Sequence, residues 1–152
     1  MRLFSLLCAI AFAASPASAE IGRIKSTLGK AAVERGGTPI PAAIGQDLMP
    51  GDWLETGKDG RISLTFVDDT RFSVGPDSRI ALSKFEYDQT TQKGSFIAQI
   101  ERGSIAVVSG RIAKTRCGGA TPAGTSCGGM EVRTPKSAVA VRGTRFIITV
   151  SR

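Results

Sequence analysis

Cys117 and Cys127 carry the most distinct chemistry in the chain, each opening a Cys-Gly-Gly triplet at one side of a polar Thr/Pro/Gly stretch. An even pair of thiols in an oxidising compartment forms a disulfide, whereas a redox pair would favour the tight Cys-x-x-Cys spacing, which is absent. A Cys117–Cys127 bridge is therefore expected. Closing a loop of about 11 residues would stabilise the fold by about 2.8 kcal/mol on the chain-entropy account. Carboxylates are the other reactive groups. Asp59, Asp68, Asp69 and Asp77 could supply paired acids for glycosidase chemistry, but each stands in a turn, where Asp is expected for its bonds to nearby backbone N–H groups. Histidine is absent, which removes the commonest general base, His-containing triads and His-based zinc sites. No EF-hand spacing, glycine-rich phosphate loop or nucleophile elbow occurs. The expectation is a non-enzymatic protein with no catalytic residues, cofactor or metal.

The remaining candidates are cations. Arg133, Lys136, Arg142 and Arg145 lie close together near the C-terminus and form either an anion-binding patch or an ordinary solvated face. Side chains alternate across a strand, so a shared face for Arg133 and Arg145 is not given by sequence proximity.

An N-terminal segment sets the compartment for all of these groups. Residues 1–19 have one charge at Arg2, an apolar stretch from Leu3 to Ala14, a helix-ending Ser15-Pro16, and Ala17-Ser18-Ala19, which fits the small-x-small cleavage rule. This reads as a helical signal peptide cleaved before Glu20. The apolar stretch falls well short of the roughly 20 residues that span a bilayer. Cys8 lies inside it, but Leu7 is too large for a lipoprotein cleavage site, so Cys8 is expected to leave with the peptide. The remaining domain, residues 20–152, keeps 19 basic residues against 13 acidic ones, a formal charge of +6. In a cytosolic protein that balance would suggest nucleic acid; in an exported one it points to envelope polyanions or to a solubilising surface. A periplasmic or secreted location is expected, without nucleic-acid binding.

The elements that must position these residues are strands. Arg61-Ile62-Ser63-Leu64-Thr65-Phe66, Arg71-Phe72-Ser73-Val74, Ser78-Arg79-Ile80-Ala81-Leu82 and Ser95-Phe96-Ile97-Ala98-Gln99-Ile100 alternate polar and apolar residues, the period of a half-buried strand. Between such runs stand Gly36-Gly37, Gly57-Lys58-Asp59-Gly60, Asp68-Asp69-Thr70, Gly75-Pro76-Asp77, Thr91-Gln92-Lys93-Gly94 and Arg102-Gly103, which read as turns. No later segment keeps a helical apolar stripe. The class is all-β, with short strands in a sandwich or roll, or in a β-solenoid-like stack. Residues 113–129 interrupt the pattern and read as an inserted Gly/Cys loop, after which strand composition resumes to Val150.

Ordered motifs add a family. Gly45-Gln46-Asp47-Leu48, then Gly51-Asp52-Trp53-Leu54-Glu55-Thr56-Gly57, then Phe66-Val67-Asp68-Asp69-Thr70, and finally Thr134-Pro135 with Val141-Arg142-Gly143-Thr144-Arg145-Phe146 resemble the FecR domain. The glycines suit tight turns or bulges, Asp52 a turn cap, and Trp53, Leu54, Leu64, Phe66, Val141 and Phe146 the core. The resemblance implies a periplasmic sensing or protein-interaction module, typified by regulators that relay occupancy of an outer-membrane iron-siderophore receptor to a cytoplasmic sigma factor. Those regulators place a cytoplasmic segment and a membrane-spanning helix ahead of the domain, where this chain has a signal peptide. Direct transmembrane signalling is therefore not expected. Members of the family continue past the strand at Phe146 to Val150 with further strands, so here that strand is expected at a sheet edge, either open to strand addition by a partner or a second copy or covered and blunted by Arg145 and Arg152. The expected partner is a protein or an anionic envelope polymer. Peripheral membrane-surface contact and self-association through the edge strand are further routes.

Overall fold

Alternating apolar residues draw the described residues of the chain into twelve strands whose inner faces meet. The computed structural model describes residues 19–114, 128–142 and 145–151. The strands are β1 (Gly22–Leu28), β2 (Ala31–Arg35), β3 (Thr38–Pro41), β4 (Asp47–Leu48), β5 (Trp53–Thr56), β6 (Arg61–Phe66), β7 (Arg71–Val74), β8 (Arg79–Asp88), β9 (Lys93–Val108), β10 (Gly129–Arg133), β11 (Ala138–Val141) and β12 (Arg145–Val150). A 3-10 turn, Ile112–Lys114, follows β9. All twelve strands join one curled, mostly antiparallel sheet, running β3-β2-β5-β8-β9-β7-β6-β1-β4. Strands β10, β11 and β12 lie off this path, with β10 and β12 both hydrogen-bonded to β9. The fold is thus all-β and curled like a half-barrel, the roll rather than the solenoid alternative.

Strand β9 makes the curl. Its N-terminal half pairs with β8 and, in parallel from Ser95 to Gln99, with β10; its C-terminal half pairs with β7 and β12. Two faces result: a back sheet of β3, β2, β5, β8, β10 and β11, and a front sheet of β4, β1, β6, β7 and β12. Both share β9. Arg102-Gly103, which the sequence suggests as a turn, is a bend inside this one strand, with Gly103 at φ 91°. The inward phase changes there, from Phe96, Ala98 and Ile100 to Ile105 and Val107. The extra residue lets both halves keep an apolar inner face, as a bulge does.

The core lies between the two sheets. Phe66 meets Phe72 edge-on at 4.9 Å and Phe96 at 4.6 Å between ring centres, while Phe72 stacks on Phe96 at 5.3 Å and Phe66 on Phe85 at 5.6 Å. Each such pair adds about 0.5–1.5 kcal/mol beyond area burial. Leu54, Leu64, Phe66 and Val141 are buried as expected. Trp53 is not: with Leu54 facing inward, strand alternation turns its neighbour outward, and Trp53 is half-buried on the back face. Phe146 is partly buried against the core. Of the loop expected over residues 113–129, residues 115–127 lie outside the described residues. Ala113 is buried in the 3-10 turn and Gly129 begins β10. Cys117, Cys127 and residues 1–18 lie outside the described residues.

Candidate functional site

Turn geometry accounts for the acids first. Asp52 is 1% exposed; its carboxylate accepts the Met49 N–H at 2.9 Å and a two-pronged bond from Arg35 on β2, Nε at 2.8 Å and Nη2 at 2.7 Å. Asp68 is fully buried and accepts the Thr70 N–H at 3.0 Å, the Thr70 hydroxyl at 2.7 Å and the Ile112 N–H at 3.3 Å. Thr70 in turn accepts the Gly110 N–H at 3.0 Å. Asp68 and Thr70 thus fasten the β6–β7 turn to the segment that follows β9. Asp69 and Asp77 sit at φ 67° and 48°, the left-handed region that Asp tolerates in turns. Asp69 pairs with Arg111 at 3.0 Å. Asp59 lies in the β5–β6 turn and Asp77 in the β7–β8 turn, at the opposite end of β6 from Asp68 and Asp69. Asp88 caps the β8–β9 hairpin, where bonds from the Thr91 and Thr90 N–H groups hold its carboxyl below the usual carboxylate range.

Charges on the outward faces are sorted by sheet. On the back sheet, Arg79 bonds Glu34 at 3.1 Å, Glu55 at 3.2 Å and Glu101 at 3.2 Å, and its guanidinium lies 4.7 Å from the Trp53 ring centre. Arg102 bonds Glu55 at 2.8 Å and Arg133 bonds Glu131 at 2.6 Å. The two signs neutralise each other across this face. The front-sheet strands instead carry Arg23, Lys25, Arg61, Arg71 and Arg145 against the single carboxylate of Asp47. Asp47 is taken by Arg23, whose guanidinium this bond and charge, with Glu20, hold above its ordinary pKa.

Strand register places the free cations precisely enough to name a site. Arg23 stands opposite Thr65, Thr65 opposite Arg71, Arg71 opposite Val108, and Val108 opposite Arg145, one row across β1, β6, β7, β9 and β12. The next outward row is Ser26, Ser63, Ser73, Ala106 and Ile147. Arg61, Arg71 and Arg145 are exposed, because their neighbours Ile62, Phe72 and Phe146 face inward.

The four cations singled out in the sequence are divided between locations. Arg145 belongs to this front row; Arg142, also exposed, follows β11 and precedes β12 by a short link. Arg133 stands opposite Gln99 near the β9 bend, paired with Glu131, and Lys136 is exposed in the β10–β11 turn. Arg61 and Arg71, which sequence reading left out, join Arg145 instead. Their signal was present in the alternations Arg61-x-Ser63-x-Thr65 and Arg71-x-Ser73. Which strands become neighbours was the missing information.

Strand β12 completes the site. It pairs with β9 along one edge, from Arg145–Val108 to Val150–Gly103, and no strand among the described residues pairs with its other edge. Its inward residues Phe146, Ile148 and Val150 pack against the core, while Ile147 is 75% exposed.

No curated protein and no solved structure matches the chain. A protein family does: the family described as FecR protein matches residues 52–152, about two thirds of the length. The match begins at the capping Asp52, so β1 to β4 precede it although β1 and β2 pair with β6 and β5 inside it. With the Gly-Asp turn, the Asp-Asp-Thr turn and the closing strand in their places, the chain belongs to the FecR family.

Proposed function

We propose that this protein is an exported, non-enzymatic docking module of the cell envelope, which holds a protein partner by strand addition at β12. The carrying observation is the one-sided pairing of β12. Other open edges among the described residues are less suited: β3 bears Pro39 and Pro41, which lack an N–H to donate, β4 is two residues long, and β11 is four residues long. β12 offers six residues with a backbone edge and an exposed Ile147 to fix register. The signal peptide at residues 1–19 and the Cys117–Cys127 bridge belong to the same reading, as does a periplasmic location. An envelope polymer is the other partner class it admits.

Family membership favours one specific form of this reading, a component of an iron-responsive relay that acts on a sigma factor through a separate membrane protein. The two are separated by one experiment. A photo-crosslinking residue at Thr149 should capture a defined protein in intact cells, and Ile147→Asp should abolish the adduct. Capture of a sigma-regulating membrane protein or an outer-membrane receptor selects the relay. A monomer that crosslinks to nothing from Thr149 overturns strand addition.

A further inference from the structure

Backbone pairing at β12 leaves the outward arginine side chains of the front sheet unused. We propose that this outward face rests on an anionic phospholipid surface. The inference goes beyond the docking reading and shares only Ile147 with it.

Adjacent strands lie about 4.8 Å apart, so the register Arg71–Val108–Arg145 sets the two arginine backbones about 10 Å apart on one face. Arg61 lies four residues along β6 from Thr65 in that row, about 13 Å away. Every carboxylate side chain of the protein falls within the described residues, yet none is within ion-pair distance of Arg61, Arg71 or Arg145 among them. These guanidiniums therefore meet an external anion without first breaking a protein ion pair.

The residues between them are short. Ser63, Ser73 and Ala106 form the neighbouring row, so the long arginines stand out beyond them. Ile147 ends that row, 75% exposed, and Val108 sits between Arg71 and Arg145, 38% exposed. Cations that reach phosphates around apolar tips that enter the headgroup boundary are what an anionic bilayer favours. A soluble polyanion would use the arginines alone and gain nothing from Ile147. The back sheet, with its charges paired internally, offers no such face.

Each cation near an anionic surface contributes about 1 kcal/mol, roughly a fivefold change in affinity. The test is sedimentation of the purified protein with vesicles of phosphatidylcholine, with and without phosphatidylglycerol. Binding is expected only where phosphatidylglycerol is present, weakening with salt. Arg71→Gln or Arg145→Gln should each weaken it about fivefold, and Arg61→Gln, Arg71→Gln and Arg145→Gln together about a hundredfold. The thermal midpoint of the triple variant should stay near the parent's, since these side chains are exposed and unpaired. Ile147→Ser should weaken vesicle binding while leaving retention on a heparin column unchanged. Equal binding to neutral and anionic vesicles overturns the proposal, as does an unaffected triple variant. Heparin retention without vesicle binding reassigns the face to a soluble anionic polymer and also overturns it. Crosslinking at Thr149 persists in the triple variant if only the lipid proposal fails.

Discussion

Asp52 shows what a single side chain contributes. It follows a turn glycine, and its bond to the Met49 N–H is the local cap that position suggests. Arg35 lies 17 residues upstream with no local signal of the pairing, because β2 and β5 become neighbours only when the sheet forms. The pair joins a buried carboxylate to a guanidinium that is 40% exposed, so water screens one side of it. Arg35→Met leaves the carboxylate buried without its cation and should cost about 2–3 kcal/mol, below the range for a fully buried pair. Asp52→Ala loses the cap as well as the pair and should cost about 3 kcal/mol. Asp52→Asn, which can keep one acceptor bond, should cost less than either. Urea unfolding at neutral pH measures all three. Arg35→Met at or near zero would show that the Met49 cap alone carries the role of Asp52.

At the scale of the strand, β9 is where sequence and structure part company most informatively. Period-two alternation identifies β6, β7, β8 and the N-terminal half of β9, because an inward apolar residue is required at every second position. Arg102-Gly103 carries the same signal in a hairpin turn or a bulge, a residue tolerant of positive φ, and alternation cannot distinguish them. The change of inward phase from Ile100 to Ile105 was the available clue. Packing decides the outcome. A Cβ on Gly103 would strike the Ser78 backbone and hydroxyl, and its φ of 91° already strains any L-residue. Gly37 has φ 81° with nothing near its missing Cβ. Gly37→Ala should therefore cost only the backbone term, about 1 kcal/mol, whereas Gly103→Ala should cost about 3 kcal/mol or more. Comparing the two unfolding midpoints isolates the contribution of the bend. Equal losses would mean that the bend tolerates a side chain and that Ser78 moves aside.

Over the whole molecule, the charge excess evident from composition becomes a difference between two faces, and composition holds no information about that division. Ile21 is buried, its N–H bonds the Leu48 carbonyl at 2.9 Å, and its own carbonyl accepts the Val67 N–H at 3.0 Å. Ala19 and Glu20 before it are exposed. A cut between Ala19 and Glu20 would thus fall just before Ile21, the first buried residue among those described, and break no sheet hydrogen bond among the described residues, leaving Glu20 able to pair with Arg23. The expectation is a mature protein whose N-terminal residue is Glu20. Such a cut would also remove Cys8, so that Cys127 would be the other cysteine of this sequence for Cys117 to join. In protein isolated from the cell envelope, N-terminal sequencing should begin Glu-Ile-Gly-Arg, and alkylation without reductant should leave the intact mass unchanged. Reduction before alkylation should then add two labels. Retention of residues 1–19 would return the leader to the role of an anchor, and immediate labelling of both thiols would exclude the bridge, so export and oxidation are separable in one mass spectrum.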